Sequence, residues 1–93
     1  MQKSSILVGC AAENYIRTIH ADLLFFSSQA LSSDGEISDA SEEESSLRRA
    51  MLARADRKIF LCDSSKLGKK RTFAVCHKND VDEIICDVAL PFD

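Results

Sequence analysis

Two uninterrupted apolar runs, Leu23-Leu-Phe-Phe26 and Ile59-Phe-Leu-Cys62, stand out from the otherwise mixed pattern of this chain. Neither run alternates with polar residues, a pattern that predicts strands covered on both faces, as in a parallel sheet. Residues 42–57, which lie between them, carry a helical spacing of apolar positions. A helix between two such strands is the αβ unit of a parallel sheet, so residues 22–26 and 58–63 are predicted to be parallel neighbours. The second run stops abruptly at Asp63-Ser-Ser-Lys66, followed by Leu67 and Gly68. In open α/β sheets ligands collect beyond the carboxyl ends of the strands, which makes this polar turn the first candidate for function.

The remaining elements follow from the same pattern. Ser5 to Val8 reads either as a short strand or as the approach to a helix. Over residues 10–20 the apolar Ala11, Ala12, Tyr15, Ile16 and Ile19 share one helical face, with Glu13, Asn14, Arg17 and Thr18 opposite. Residues 30–40 are rich in Ser, Asp and Gly and are predicted to be a loop. Ser41 to Glu44 matches a capping box, in which the serine and the glutamate satisfy each other's backbone donors at a helix start. Leu47, Ala50, Met51 and Ala55 then form the apolar stripe of that helix, with Arg48, Arg49, Arg54 and Arg57 toward its C-terminal half. Residues 72–76 and 83–87 read as two further short strands separated by a polar turn at 77–82, and Pro91 closes the pattern.

Composition narrows the class. A chain of 93 residues with 45% hydrophobic and 29% charged residues suits one small folded domain and excludes a disordered tail. The net charge of -3 gives no general basic surface for nucleic acid, although Lys66, Lys69, Lys70 and Arg71 are locally clustered. Cys10, Cys62, Cys76 and Cys86 show no C-x-x-C spacing and read as small core residues of a reducing compartment. With no signal-peptide pattern and no run near the roughly 20 apolar residues a membrane helix needs, a cytoplasmic location without membrane partners is expected. His20 and His77 have no second ligand at a metal-like spacing, and no metal or cofactor is expected.

The candidate chemistry lies at the ends of elements. Glu44 shares a helix face with Leu47, Arg48 and Met51, so its carboxylate is either a positioned ligand acceptor or simply the partner of Ser41 and of Arg48 one turn on. Lys66 offers a point charge for a phosphate or carboxylate, with Ser64, Ser65 and backbone N–H groups as neutral donors; its alternative is a solvated loop lysine. Asp63 and Asp87 end strands and read as turn caps.

In their order and spacing, Asp22-Leu-Leu-Phe-Phe, Gly35, Glu44 four residues before Arg48-Arg-Ala-Met51, Leu61-Cys-Asp-Ser-Ser-Lys-Leu-Gly68 and Val81-Asp-Glu-Ile-Ile-Cys-Asp87 resemble the C-terminal effector-binding domain of DeoR-family transcriptional repressors. That domain is similar in fold to ribose-5-phosphate isomerase A, whose Asp-Ala-Ser-Lys motif matches Asp63 to Lys66. The resemblance implies an α/β, three-layer fragment with a mostly parallel sheet. It also implies a sugar-phosphate pocket with Lys66 and Ser65 facing the ligand and Glu44, which matches the isomerase's catalytic base, near the carbon chain. Where the family usually has Gly-Ala-Asp-Gly, this chain has Ser27-Ser-Gln-Ala30, so the neutral amide of Gln29 replaces an acid of the pocket. The winged helix-turn-helix and the first half of the sensor domain are not found in these residues, so residues 1–93 read as a C-terminal sensor part, with DNA contacted only through a separate domain. The expected role is effector sensing and homo-oligomerisation without enzymatic activity. A sugar-phosphate isomerase-like enzyme and a ligand-free oligomerisation module are the alternatives.

Overall fold

The structure is a computed structural model that describes the backbone of residues 10–90 and the side chains of residues 13–90. The element order is α1 (Cys10–Ile16), β1 (Ala21–Phe26), β2 (Ala30–Leu31), β3 (Glu36–Asp39), α2 (Glu42–Ala53), β4 (Ala55–Cys62), β5 (Phe73–His77) and β6 (Glu83–Cys86), with 3₁₀ turns at Ser64–Lys66 and Lys78–Asp80. The expected strand at residues 5–8 and the role of Pro91 lie outside the described residues.

β1, β4 and β6 form an all-parallel sheet with β4 in the centre. The register runs from Ala21↔Ala55 to Phe26↔Phe60 on one side and from Ile59↔Glu83 to Cys62↔Cys86 on the other. The predicted parallel pairing of the two apolar runs is therefore observed. A second sheet, β2-β3-β5, is antiparallel. Phe26, Leu31, Ile37, Leu52, Phe60 and Val75 form the core, drawing on the parallel sheet, the small sheet and α2. Phe26 and Phe60 are register partners whose ring centroids lie 5.1 Å apart in a tilted arrangement.

Several expectations need correction. The two apolar runs are not covered on both faces: Leu23, Phe25, Leu61 and Ile85 remain 46%, 54%, 39% and 46% exposed, while the adjacent Phe26 and Phe60 are buried. Among the described residues, α2 and the small sheet build the core on only one face of the parallel sheet.

Residues 30–40 are not an irregular loop but a hairpin, in which Ala30, Leu31 and Ile37 are fully buried. Its turn places Gly35 at φ +94°, and a Cβ there would lie within 3.0 Å of His77 and Lys78 side-chain atoms. Glycine is needed both for its backbone freedom and for its lack of volume. The strand predicted at 72–76 exists as β5, but it joins β3 in this second sheet instead of the main one.

α1 ends at Ile16, before the predicted limit, and Tyr15 points to solvent instead of joining an apolar face. α2 stops at Ala53 and β4 starts at Ala55 instead of residue 58. The reason lies in β1: Ala21 donates its N–H to the carbonyl of Arg54 at 3.0 Å, and pairing continues from Ala55. On α2 the buried side chains are Ser45 and Leu52, while Leu47, Ala50 and Met51 are half-buried. The helix is rotated relative to the apolar stripe because it packs against α1 as well as the strands.

Candidate functional site

In the β1–α2–β4 unit, α2 runs back along the sheet, so its N-terminus returns to the edge where β1 and β4 end. Arg48 fixes this geometry. Its Nε donates to the carbonyl of Ser27, just past β1, at 2.6 Å, and its Nη1 reaches Asp39 at 3.1 Å and Glu44 at 3.3 Å. Asp39 is fully buried, and its other oxygen accepts the N–H of Ser41 at 3.1 Å. Ser28 donates to the Ser38 carbonyl at 2.8 Å and lies 3.1 Å from Asp39. One guanidinium thus joins the ends of β1 and β3 to the first turns of α2.

The capping box is only half formed. Ser41 Oγ accepts the N–H of Glu44 at 3.2 Å, but the Ser41 N–H is taken by Asp39, leaving the Glu44 carboxylate to Arg48. Glu42, Glu43 and Glu44 fill the first turn of α2. Three acids there make this helix end a poor seat for a phosphate and a better one for hydroxyl groups.

At the end of β4 the Ser64–Lys66 turn is capped by Asp63, whose carboxylate accepts the N–H of Ser65 at 3.0 Å and also the Ser65 hydroxyl. The Ser65 hydroxyl holds the Asp63 carboxyl below its usual range, and the positive charges of Lys66 and Lys69 act in the same direction. The cap expected for Asp63 is observed. Ser65 is exposed, while Lys66 is half-buried and donates its N–H to the Asp63 carbonyl at 3.0 Å. Leu67 bridges to Leu31, and Gly68 donates to the Leu31 carbonyl at 2.8 Å. The turn is thereby pinned to the strand that follows Gln29. Gln29 itself has an exposed side chain, and its N–H donates to the Ser38 carbonyl at 3.3 Å.

Gln29, Ser65 and Lys66 are thus drawn to the carboxyl edge by short backbone links, and Glu44 is held there through Arg48. Among the described residues the ion-pair partner of Glu44 is Arg48, not Lys66. Sequence reasoning missed Asp39, and took Arg48 only as the helical partner of Glu44. The single local signal was that spacing; the contact with Asp39 depends on a hairpin that composition did not reveal. The basic cluster is also weaker than its sequence suggests, since Lys70 pairs with Glu36 at 3.4 Å and Asp34 at 3.5 Å.

The histidines are less isolated than expected. His20 Nε2 lies 2.9 Å from Asp56, with Asp22 at 3.9 Å from Nδ1, a solvent-exposed group near the start of β1 and β4. His77 accepts the N–H of Asn79 at 3.2 Å and caps the Lys78–Asp80 turn.

A parallel sheet with α2 packed on it, and a helix start and a polar turn at its carboxyl edge, places the chain in the α/β class of domain. The chain belongs to the DeoR C terminal sensor domain family, whose family model matches residues 1–88. It is 30% identical over 90 residues to the HTH-type transcriptional regulator YulB of Bacillus subtilis, covering 97% of this chain and 35% of that protein. It is 27% identical over 92 residues to the HTH-type transcriptional regulator GlpR of Haloferax volcanii, covering 99% and 36%. With GolR of Listeria innocua, another HTH-type transcriptional regulator, identity is 30% over 84 residues, covering 90% and 33%. The chain spans about a third of the length of these curated relatives. No solved structure gives a significant match. No helix among the described residues is long and apolar enough to cross a membrane.

Proposed function

We propose that this chain is the effector-sensing and self-associating part of a cytoplasmic DeoR-type transcriptional repressor. A phosphorylated sugar or related metabolite binds at the carboxyl edge of the parallel sheet and controls operator binding by a separate DNA-binding domain. Lys66 takes the phosphate, aided by the hydroxyl and N–H of Ser65. Glu44 accepts from sugar hydroxyls, and Gln29, which can both donate and accept, reads others. The chain is the C-terminal part of a sensor domain of the ribose-5-phosphate isomerase-like type. The observation that carries this reading is the pinning of the Ser64–Lys66 turn beside β2, on the edge to which Arg48 also ties the first turns of α2. Because Arg48 engages the Glu44 carboxylate, that group is not a free general base, which favours a sensor over an isomerase.

Isothermal titration with a panel of aldose and ketose phosphates tests the assignment. Lys66→Ala should weaken a phosphorylated ligand by about 1.5 to 3 kcal/mol, the worth of one charge-assisted hydrogen bond, with little change in stability. Unchanged affinity would remove Lys66 from the site. Turnover of an aldose phosphate to its ketose by the wild-type chain would replace the sensor by an enzyme.

A further inference from the structure

Cys62 and Cys86 are the last residues of β4 and β6, and they are register partners across the two strands. Residues paired in this way project from the same face of a sheet. Neighbouring strands lie about 4.8 Å apart, inside the roughly 4.4 to 6.8 Å of Cα separation that a disulfide spans. Both thiols are free and half-buried, and Cys62 also packs against the core. Burial, and then the neighbouring Cys86, push the Cys62 thiol up to about 11. Cys76 differs: burial pushes it up to about 12, but its register partner is Ile37.

We propose that Cys62 and Cys86 form a reversible disulfide that latches β4 to β6 at the carboxyl edge and stiffens the Ser64–Lys66 turn, which starts two residues beyond Cys62. The oxidant is a low-molecular-weight disulfide. One protein thiolate attacks it, its S–S bond breaks, one small thiol leaves, and a mixed disulfide remains. The second protein thiolate then attacks the protein-side sulfur, forms the Cys62–Cys86 bond and expels the second small thiol. The two protons of the protein thiols end on the two small thiols, and a dithiol reductant reverses the exchange. In either order one attack falls to Cys62, whose burial favours the protonated thiol, so formation of the bond should accelerate as pH rises above neutrality. That the latch adjusts effector binding rests on the function proposed above; its formation does not.

Trypsin places the four cysteines on four separate peptides, so the bond can be mapped directly. The native full chain is incubated with oxidised glutathione, digested without reduction and analysed by mass spectrometry. The expected product is the Cys62 peptide joined to the Cys86 peptide, lost on dithiothreitol treatment, retained in a Cys10→Ser/Cys76→Ser variant and abolished by Cys86→Ser. Four free thiols, or the same scrambled mixture of links that the chain gives in urea, would overturn the pair. Hydrogen exchange on the oxidised and reduced chains, which needs no ligand, tests the stiffening: the Ser65 and Lys66 amides should exchange about tenfold more slowly when oxidised. Equal rates would overturn control of the turn.

Discussion

The Asp39 carboxylate lies out of reach of solvent, and its partners there are donors: Arg48, the Ser41 N–H and Ser28. A buried carboxylate with these partners is costly to remove, since its loss leaves the Ser41 N–H without its acceptor and Arg48 with Glu44 as its remaining ion-pair partner. Asp39→Ala should therefore destabilise the fold by about 3 to 5 kcal/mol in chemical denaturation. It should also free Arg48 to move, loosening Glu44. A loss below about 1 kcal/mol would mean that the pair is replaced by water at little cost.

At the scale of elements, what the sequence discloses depends on how far apart the interacting residues lie. β1 and β4 were legible because each is apolar without interruption, and the αβ unit then follows from the periodicity between them. Which face stays exposed was not legible, because an uninterrupted run does not say whether a second layer is present. The β2–β3 hairpin was concealed by its Ser, Asp and Gly residues, and the second partner of β3 is the distant β5, with a register shift between Ile37 and Ser38. Of the candidate site, the Ser64–Lys66 turn was readable from the abrupt polar stop after Cys62, whereas the Asp39–Arg48 link was not, because the hairpin creates it.

The turn also has its own pH signature. The Ser65 hydroxyl holds the Asp63 carboxyl below its usual range in the folded chain, so the stability that the cap contributes is fully present above the unfolded pKa and is lost as pH falls through the lower folded one. In an NMR titration the Ser65 amide should follow Asp63 with a midpoint below that of the same aspartate in the urea-unfolded chain. A midpoint at or above that value would show that the hydroxyl and amide do not hold the carboxylate.

For the molecule as a whole, the bare sheet face matters most. Leu23, Phe25, Leu61 and Ile85 lie on the face opposite the core, and among the described residues β1 and β6 are the edge strands of the sheet. Exposed apolar surface beside open edges favours self-association. Sedimentation should show a mass above the monomer that rises with concentration, and Phe25→Asp should weaken association by on the order of 2 kcal/mol while leaving the fold intact. A wild-type monomer at high concentration would refute this. The strand order has a further consequence, for folding. Since Ala21 pairs with Ala55, β1 cannot find this neighbour until the hairpin and α2 have also been made. Among the described residues the strand that pairs with Leu23 to Phe26 is β4, so this contact spans more than thirty residues and belongs to the slow, long-range part of folding.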